Sequence, residues 1–425
     1  MPNIPTEMRA IEIPEPGGPE ALKICTRPVP EAAAGEVLVR VKTAGINRAD
    51  TLQRMGSYPM PPGATDIPGL EASGEVVALG AGASRFKVGD EVCALLSGGG
   101  YAEYVNVPEP QCMTLPPKVD LHSAGGVPET FCTVWTNVFE RAALKPGEVY
   151  LAQGGTSGIG YTGIQLAKAF GSPVLATAGS DAKARACEEF GADRGINYKT
   201  EDFVAIGKEF TDGRGVDVIL DMIGGDYIPR QLDLLAREGR LCFVALMGGT
   251  KVEADFGLVH RKHLTVTGST LRSRSVEQKG AICCALEEKV WPLFESGKCW
   301  PVIHKTFPLD QAAEAHALME SSQHIGKIML ETSSSAPFPS PPQRRSEISM
   351  MDPIPARMRG SAIVDEAKAL DQLVDVAGLT LRWREAIADH AVRIIQAVRT
   401  GASHGMKEEF LGEYGLSSKE GVALM

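Results

Sequence analysis

Apolar and polar positions alternate in two different ways along the first 330 residues. From Met8 to about Pro110 they alternate over short runs broken by Gly and Pro: Met8 to Ile13, Glu36 to Thr43, Ala72 to Leu79, Glu91 to Leu95 and Tyr101 to Val107. Period-two alternation bounded by turn residues predicts strands, and strands at this spacing predict a small β-barrel-like domain. From about Ser123 the chain reads helix, strand, helix, strand, with strands near Val149 to Gln153, Val174 to Ala178, Arg194 to Asn197, Val216 to Asp221, Arg240 to Val244 and Leu264 to Gly268. That rhythm predicts a doubly wound parallel sheet. Ser275 to Leu330 reads as a helix, a strand around Val302 to Phe307, a helix at Leu309 to Glu320 and a strand at Gly326 to Glu331, expected to return and complete the first domain.

Composition then breaks. Thr332 to Glu347 is rich in Ser and Pro, which predicts an extended, disordered linker. Beyond it, Ile363 to Ala377, Arg382 to Arg399 and Met406 to Tyr414 have helical periodicity, and Ser417-Ser418-Lys419-Glu420 reads as a capped helix start. A helix that begins so close to Met425 cannot bury its apolar face alone, so this region reads as an incomplete helical appendage.

The most informative stretch is Val149-Tyr-Leu-Ala-Gln-Gly-Gly-Thr-Ser-Gly-Ile-Gly160, an apolar strand, a glycine-rich turn and the start of an amphipathic helix. Glycines let the backbone approach a phosphate, and a helix N-terminus offers unpaired N–H groups and a partial positive charge, so this arrangement seats a dinucleotide pyrophosphate. In the frame that begins at Gly155, Gly155 ends the strand and Thr156 follows. Ser157 stands where a second glycine is usual, Gly158 gives close approach, Ile159 opens the helix, and Gly160 lets the helix pack. A strand-to-helix turn in some other α/β fold is the rival reading of this motif alone.

An NAD site normally places an acid about 20 residues beyond the glycines, at the end of the next strand. Here that place falls on Ala178-Gly179-Ser180. With no carboxylate there to repel a 2′-phosphate, and with Ser180 and Lys183 as donor and cation, NADPH is the favoured cofactor. Tyr198 is expected beside the adenosine phosphate, and Asp181 is expected to point along its helix cap. An ordinary solvated lysine and a strand-end aromatic packing on the sheet are the rival readings of Lys183 and Tyr198.

The chain has 425 residues, 44% of them apolar, which is ample for two or three domains. A net charge of −10 argues against a nucleic-acid-binding surface. Nine scattered cysteines without a C-x-x-C pair point to a reduced, cytoplasmic protein. The N-terminal residues have neither a basic flank nor an apolar stretch, and no run of 18 apolar residues occurs, so neither secretion nor membrane insertion is expected.

Several further runs carry a family resemblance: Gly45-Ile-Asn-Arg-Ala-Asp50, Tyr58 ahead of Pro61-Pro-Gly63, Gly69-Leu-Glu-Ala-Ser-Gly74, Leu95-Leu-Ser-Gly-Gly-Gly100, Asp221-Met-Ile-Gly-Gly225, Leu246-Met-Gly-Gly249, Leu271-Arg-Ser-Arg274 and Ile325-Gly-Lys-Ile328. Over about Met8 to Glu331 the chain resembles the medium-chain dehydrogenase/reductase superfamily. Within it, the likeness is to the zinc-independent NADPH:quinone oxidoreductases related to zeta-crystallin, and particularly their tumour-suppressor-inducible subgroup. The resemblance implies an α/β protein with a GroES-like β-barrel catalytic domain at 8–125, completed by 275–331, and a Rossmann NADPH-binding domain at 126–274. A linker at 332–360 and an appendage at 361–425 would follow.

Alcohol dehydrogenases of this superfamily hold a catalytic zinc with Cys, a Gly-His-Glu histidine and another Cys. Here the histidine position is Leu70, Asn47 stands near the first thiolate position, and the four-cysteine structural lobe is missing, so no metal site is expected. Without Lewis-acid polarisation the substrate must already be electrophilic, which favours a quinone or an α,β-unsaturated carbonyl. The resemblance implies direct hydride transfer in an interdomain cleft, with Asn47 and Tyr58 hydrogen-bonding a substrate oxygen. It places Thr133 at the nicotinamide ribose, the backbone of Leu246, Met247 and Gly248 at the carboxamide, Leu271, Arg272 and Ser273 along the cleft, and Lys327 toward the cofactor phosphates. For these residues turn, helix-interior, core and surface roles are the rivals. No His or carboxylate pair stands out as a general acid, which leaves solvent as the proton source and that step open.

The strand Leu264 to Gly268 would form a sheet edge that in the family pairs with a second subunit, so a homodimer is expected. A nucleotide-binding structural or regulatory protein and an enoyl-thioester reductase are the competing functions. Separately, Glu409 to Met425 resembles the segment that precedes the proline dehydrogenase barrel in bifunctional proline utilization A enzymes. No barrel or flavin site follows it in this sequence, so proline oxidation is not carried over.

Overall fold

The structure, a computed structural model, describes residues 4–332. The expectations for the linker beyond Thr332 and for the helical appendage lie outside the described residues. Thr332 itself, expected as the first linker residue, is buried: its hydroxyl donates to the Val41 carbonyl at 2.5 Å and its amide to Lys42 at 3.2 Å. Its neighbours in the strand before it carry it into the sheet, which local composition does not show.

The strands in chain order are β1 (Glu7–Glu12), β2 (Lys23–Pro28), β3 (Glu36–Gly45), β4 (Glu71–Leu79), β5 (Glu91–Leu95), β6 (Tyr104–Pro108), β7 (Cys112–Thr114), β8 (Tyr150–Ala152), β9 (Val174–Ala178), β10 (Arg194–Asn197), β11 (Val216–Asp221), β12 (Leu235–Phe243), β13 (Thr265–Gly268), β14 (Ile303–Pro308) and β15 (Lys327–Glu331). In the first sheet the order is β14-β15-β3-β4-β5-β7, with β6 also on β3. β15 pairs antiparallel with β3, Met329 opposite Gly45, so the last described strand lies against the first half of the chain. β1 and β2 form a separate ribbon. The second sheet runs β10-β9-β8-β11-β12-β13, all parallel.

That order is the doubly wound arrangement in which consecutive strands step outward from β8 in one direction and then, through β11, in the other. A crevice opens where the direction reverses, outside the carboxyl ends of β8 and β11. β8, β9 and β11 are buried along their whole length, because helices cover both faces.

Two expected strands start three or more residues from their expected place, and two more arise that alternation did not predict. β2 has no fully buried residue, so its pattern carries no two-residue signal. β7 is only three residues long. β12 begins at Leu235, five residues earlier than the apolar run, because its Arg237-Glu238-Gly239 segment is polar, Glu238 has φ +63°, and the register against β11 shifts there. β6 begins at Tyr104, three residues after the run expected from Tyr101.

One apolar cluster fills the first sheet around Val39, Val41, Val92, Tyr101 and Ile328. A second lies under one face of the parallel sheet around Leu151, Leu175, Phe203 and Leu235. The third joins Cys93, Leu95 and Met113 of the first sheet to Tyr150 of the second and to Phe131 and Ile164 on helices packed beside it, and includes Ile282, Cys283, Leu286 and Phe294. The helices Val276–Lys289 and Trp291–Glu295 therefore serve both sheets rather than the first alone. This shared core holds the two walls of the crevice in one register.

Phe131 sits in that core with its ring 5.1 Å from Phe294. Phe131→Ala should cost about 3–5 kcal/mol, since a buried ring leaves a cavity that rigid neighbours cannot fill. Urea unfolding followed by circular dichroism should show a lower midpoint at unchanged slope.

Candidate active site

The glycine turn starts where β8 ends. Gly154, one residue earlier than expected, takes the positive φ of +67°. Its amide and that of Gly155 are fixed by Thr177 on β9, at 3.2 Å to the hydroxyl and 2.7 Å to the carbonyl. Gly155 does not make the turn; a Cβ there would lie 2.6 Å from the Cys187 sulfur, so it is glycine for packing. Ser157 caps the helix Gly158–Ala169, its hydroxyl accepting from Gly160 N–H at 3.0 Å and donating to the Gly154 carbonyl at 2.8 Å. A Cβ on Gly160 would run into the Gly154 carbonyl, so helix and turn meet at this residue. The amides of Gly158 and Ile159 keep no partner among the described residues, and they point out of a helix N-terminus. Those are the donors an anionic phosphate needs.

At the end of β9 four expected residues come together. Ser180 caps the helix Asp181–Glu189, and Tyr198 lies over Gly179, where a Cβ would stand 2.9 Å from the phenol oxygen. Lys183 is not a free surface lysine: its ammonium donates to the carbonyls of Ser322 at 2.6 Å and His324 at 2.9 Å, and burial lowers its pKa. Its backbone amide donates to the Ser180 hydroxyl at 3.3 Å. The Asp181 carboxylate accepts from the Asn197 side-chain amide at 2.6 Å, which turns it across to β10 rather than along its own cap as expected.

The opposite wall is built on a buried ion pair. Lys327 of β15 is 2% exposed and Glu71 of β4 is 0% exposed, with Nζ 2.5 Å from Oε1. Nζ also donates to the Ile46 carbonyl at 2.9 Å and to Asn47 Oδ1 at 2.8 Å. Glu71 accepts from Asn47 Nδ2 at 3.0 Å and, through its other oxygen, from the Glu129 amide at 2.9 Å. Every ammonium proton has a partner, which is the condition under which a buried pair is tolerated. Two expectations are corrected here. Lys327 does not extend toward cofactor phosphates, because its charge is spent on Glu71. Asn47 is not free to bind a substrate oxygen, because both ends of its amide hold the pair.

Asn47 starts the helix Arg48–Arg54, and its N–H donates to Asp50 at 2.8 Å. The Asp50 carboxylate also accepts from Tyr101 at 3.1 Å and Gly69 N–H at 3.3 Å. Burial pushes its pKa up to about 6 against those bonds.

Tyr58 lies half-buried in the loop that follows this helix, with the Arg272 guanidinium 5.5 Å from its ring centre. Arg272 is 3% exposed; its Nε donates to the Ser97 carbonyl at 2.9 Å, while Nη1 and Nη2 have no hydrogen-bond partner among the described residues. Lys279 donates to the Ser97 hydroxyl at 2.5 Å. Burial raises the Tyr58 phenol, and the Glu129 charge adds to that. Leu271 is buried beside Arg272, and Ser273 pairs with Thr270 at 3.0 Å.

Helix Pro128–Val134 closes the gap between the walls. Thr130, not Thr133, abuts the glycine turn: a Cβ on Gly158 would be 2.9 Å from Thr130 Cγ2 and 3.0 Å from Lys327 Cδ. Thr133 sits a turn further along its helix, its carbonyl taken by Asn137. Thr156 is tied to the same region, its carbonyl accepting from Gly326 at 2.8 Å. Leu246, Met247 and Gly248 lie beyond the end of β12 rather than on it, and the amides of Met247 and Gly248 already bond to the carbonyls of Met222 and Ile223. Leu70 is buried and offers no donor, and among the described residues no three His, Cys, Asp or Glu side chains gather as a metal set.

Known proteins share this architecture. The alcohol dehydrogenase GroES-like domain model matches residues 33–117, and the zinc-binding dehydrogenase model matches 158–285. The human quinone oxidoreductase is 30% identical over 326 residues, covering 76% of this chain and 97% of its own. The chain belongs to the quinone oxidoreductase family of medium-chain dehydrogenases/reductases. Among solved structures, the Escherichia coli quinone oxidoreductase complexed with NADPH matches at TM-score 0.68 and 30% identity, over 76% of this chain and all of its own. The JamJ enoyl reductase in its apo form matches at TM-score 0.69 and 25% identity, over 77% and 100%.

Glu71, Asp50, Glu129 and Lys279 were not singled out from the sequence. Glu71 carried a signal, a lone carboxylate inside the buried Leu70-Glu71-Ala72 run, which requires a partner cation. The partner lies 256 positions away in the chain, so only the fold could name it.

Lys327→Met should destabilise the protein by about 3–5 kcal/mol, because it leaves Glu71 buried and unpaired. Adding Glu71→Gln should recover a large part of that loss in urea titrations, and equal stability of the single and double variants would contradict the pairing.

Proposed function

We propose that this chain is an NADPH-dependent, zinc-independent reductase of quinones or α,β-unsaturated carbonyls. The observation that carries the reading is the pair of amides at Gly158 and Ile159 left open at a helix N-terminus, together with the buried Arg272 guanidinium beside Tyr58, whose outer nitrogens have no hydrogen-bond partner among the described residues. The first set suits a pyrophosphate, and the second suits an oxygen that gains negative charge. The bound NADPH of the Escherichia coli relative supports the cofactor assignment.

The residues fit a dinucleotide laid across the carboxyl ends of β8 and β9. Gly158 and Ile159 would hold the pyrophosphate, and Ser180, Lys183 and Tyr198 the 2′-phosphorylated adenosine. When bound, a reduced nicotinamide supplies a hydride. Arg272 and the Tyr58 phenol then stabilise the developing anion through preorganised donors. Lys327, Glu71 and Asn47 keep the wall behind them in place. Leu70 in place of histidine supports acceptors that need no Lewis acid.

We further read the protein as cytoplasmic and homodimeric. No helix among the described residues is long and apolar enough to cross a membrane. β13 ends its sheet with Val266 42% exposed, an edge that a second copy would cover by antiparallel pairing. The substrate is a small molecule, not a nucleic acid.

Turnover of 1,2-naphthoquinone and of an enone should proceed with NADPH, more slowly with NADH, and unchanged by a chelator. Binding of NADPH without turnover would favour a structural role, and preference for an enoyl thioester the enoyl reductase reading. Lys183→Ala should weaken NADPH about tenfold by fluorescence titration, the value of one charge-assisted hydrogen bond, and leave NADH unaffected. Val266→Lys should convert a dimer to monomer in light-scattering chromatography.

A further inference from the structure

Hydride uptake by an enone or quinone leaves an anion, and completing the reduction takes a proton that the residues discussed so far do not supply. Three carboxyls stand on this part of the crevice. Glu71 is spent on Lys327, Asn47 and the Glu129 amide. Asp50 is spent on Asn47, Tyr101 and Gly69. The side chain of Glu129 has no hydrogen-bond or ion-pair partner among the described residues, and it is half-buried, so solvent reaches it.

Its placement is fixed by backbone. Glu129 is the second residue of the helix Pro128–Val134, its own amide is held by Glu71 Oε2 at 2.9 Å, and the next residue abuts Gly158 of the glycine turn. The charged groups that face it come from every neighbouring element: Glu71 and Asp50 from the first sheet and its following helix, Lys327 from β15, Lys279 from the helix Val276–Lys289, Tyr58 from its loop and Arg272 from the turn before that helix.

We propose that Glu129 is the proton donor of this site, passing its carboxyl proton to the enolate carbon or quinol oxygen and regaining one from water. The proposal rests on the reductase reading above. The acceptor gains two electrons and one hydrogen as hydride from the reduced dinucleotide, and its π bond is consumed as the new bond forms. The remaining electron pair takes the Glu129 proton, so no further oxidant or reductant is needed.

The electrostatics suit both halves of that transfer. Burial, followed by the Glu71 and Asp50 charges, pushes the Glu129 carboxyl up to about 8, so it holds its proton at neutral pH. Once deprotonated, the carboxylate faces Lys327, Lys279 and Arg272. The proton therefore leaves into a site already charged to receive what remains.

Glu129→Gln should lower kcat for an enone roughly 100-fold, the usual value of a positioned general acid, while NADPH affinity stays within about twofold. A quinone should lose less, because a phenolic oxygen of pKa about 10 can take its proton from water. Wild-type kcat should fall as pH rises through about 8, where the donor loses its proton; Glu129→Asp should retain that limb and Glu129→Gln should lack it. Infrared difference spectra of ligand-free protein at pH 7 should show a protonated carboxyl band that Glu129→Gln removes. Undiminished enone turnover in Glu129→Gln, or absence of the band in wild type, overturns the assignment. Failure of wild type to bind any dinucleotide is a separate result that sinks the reductase reading itself.

Discussion

The lysine–glutamate pair between the last and fourth strands is the constraint from which the rest of the crevice follows. Two charges without water are tolerable only when each proton and lone pair is met, and here that requirement recruits Asn47, the Ile46 carbonyl and the Glu129 amide. Ile46 and Asn47 come from the link between β3 and the next helix, and the Glu129 amide from the helix Pro128–Val134. The strand β15, the helix after β3, the strand β4 and the helix Pro128–Val134 are thereby locked at one point, beside the glycine turn.

That lock explains why several side chains with an evident chemical look do no chemistry themselves. Asn47 and Lys327 are polar, close to the glycine turn through Lys327, and fully occupied. At the glycine turn and on this wall, the groups without a hydrogen-bond partner among the described residues are fewer: two backbone amides, the outer nitrogens of Arg272, the Tyr58 phenol and the Glu129 carboxyl. A site of this kind binds by geometry and charge, and leaves the electron transfer to a cofactor.

Much of the fold was legible because strand alternation and strand–helix alternation are local signals. β5, β9, β10 and β11 lie where the apolar runs put them, and the glycine turn lies one residue from its expected frame. β2 was invisible because almost nothing in it is buried, and the start of β12 because Arg237 and Glu238 interrupt its apolar run. The group at the end of β9 was also readable, since Gly179, Ser180 and Lys183 are neighbours in the chain. The far wall was not: Glu71, Glu129, Arg272, Lys279 and Lys327 are spread over more than half of the described residues, and hydrogen-bond partners at such separations leave no periodic trace.

By itself the sequence determined the plan of two sheets, the glycine turn before the helix and the leucine at the centre of the Gly-x-Glu run, because each depends on residues close together in the chain. Tertiary structure decided which polar side chains are spent and which are free. Burial sets the cost of an unmet charge, and only the packing of distant elements says whether that charge is met.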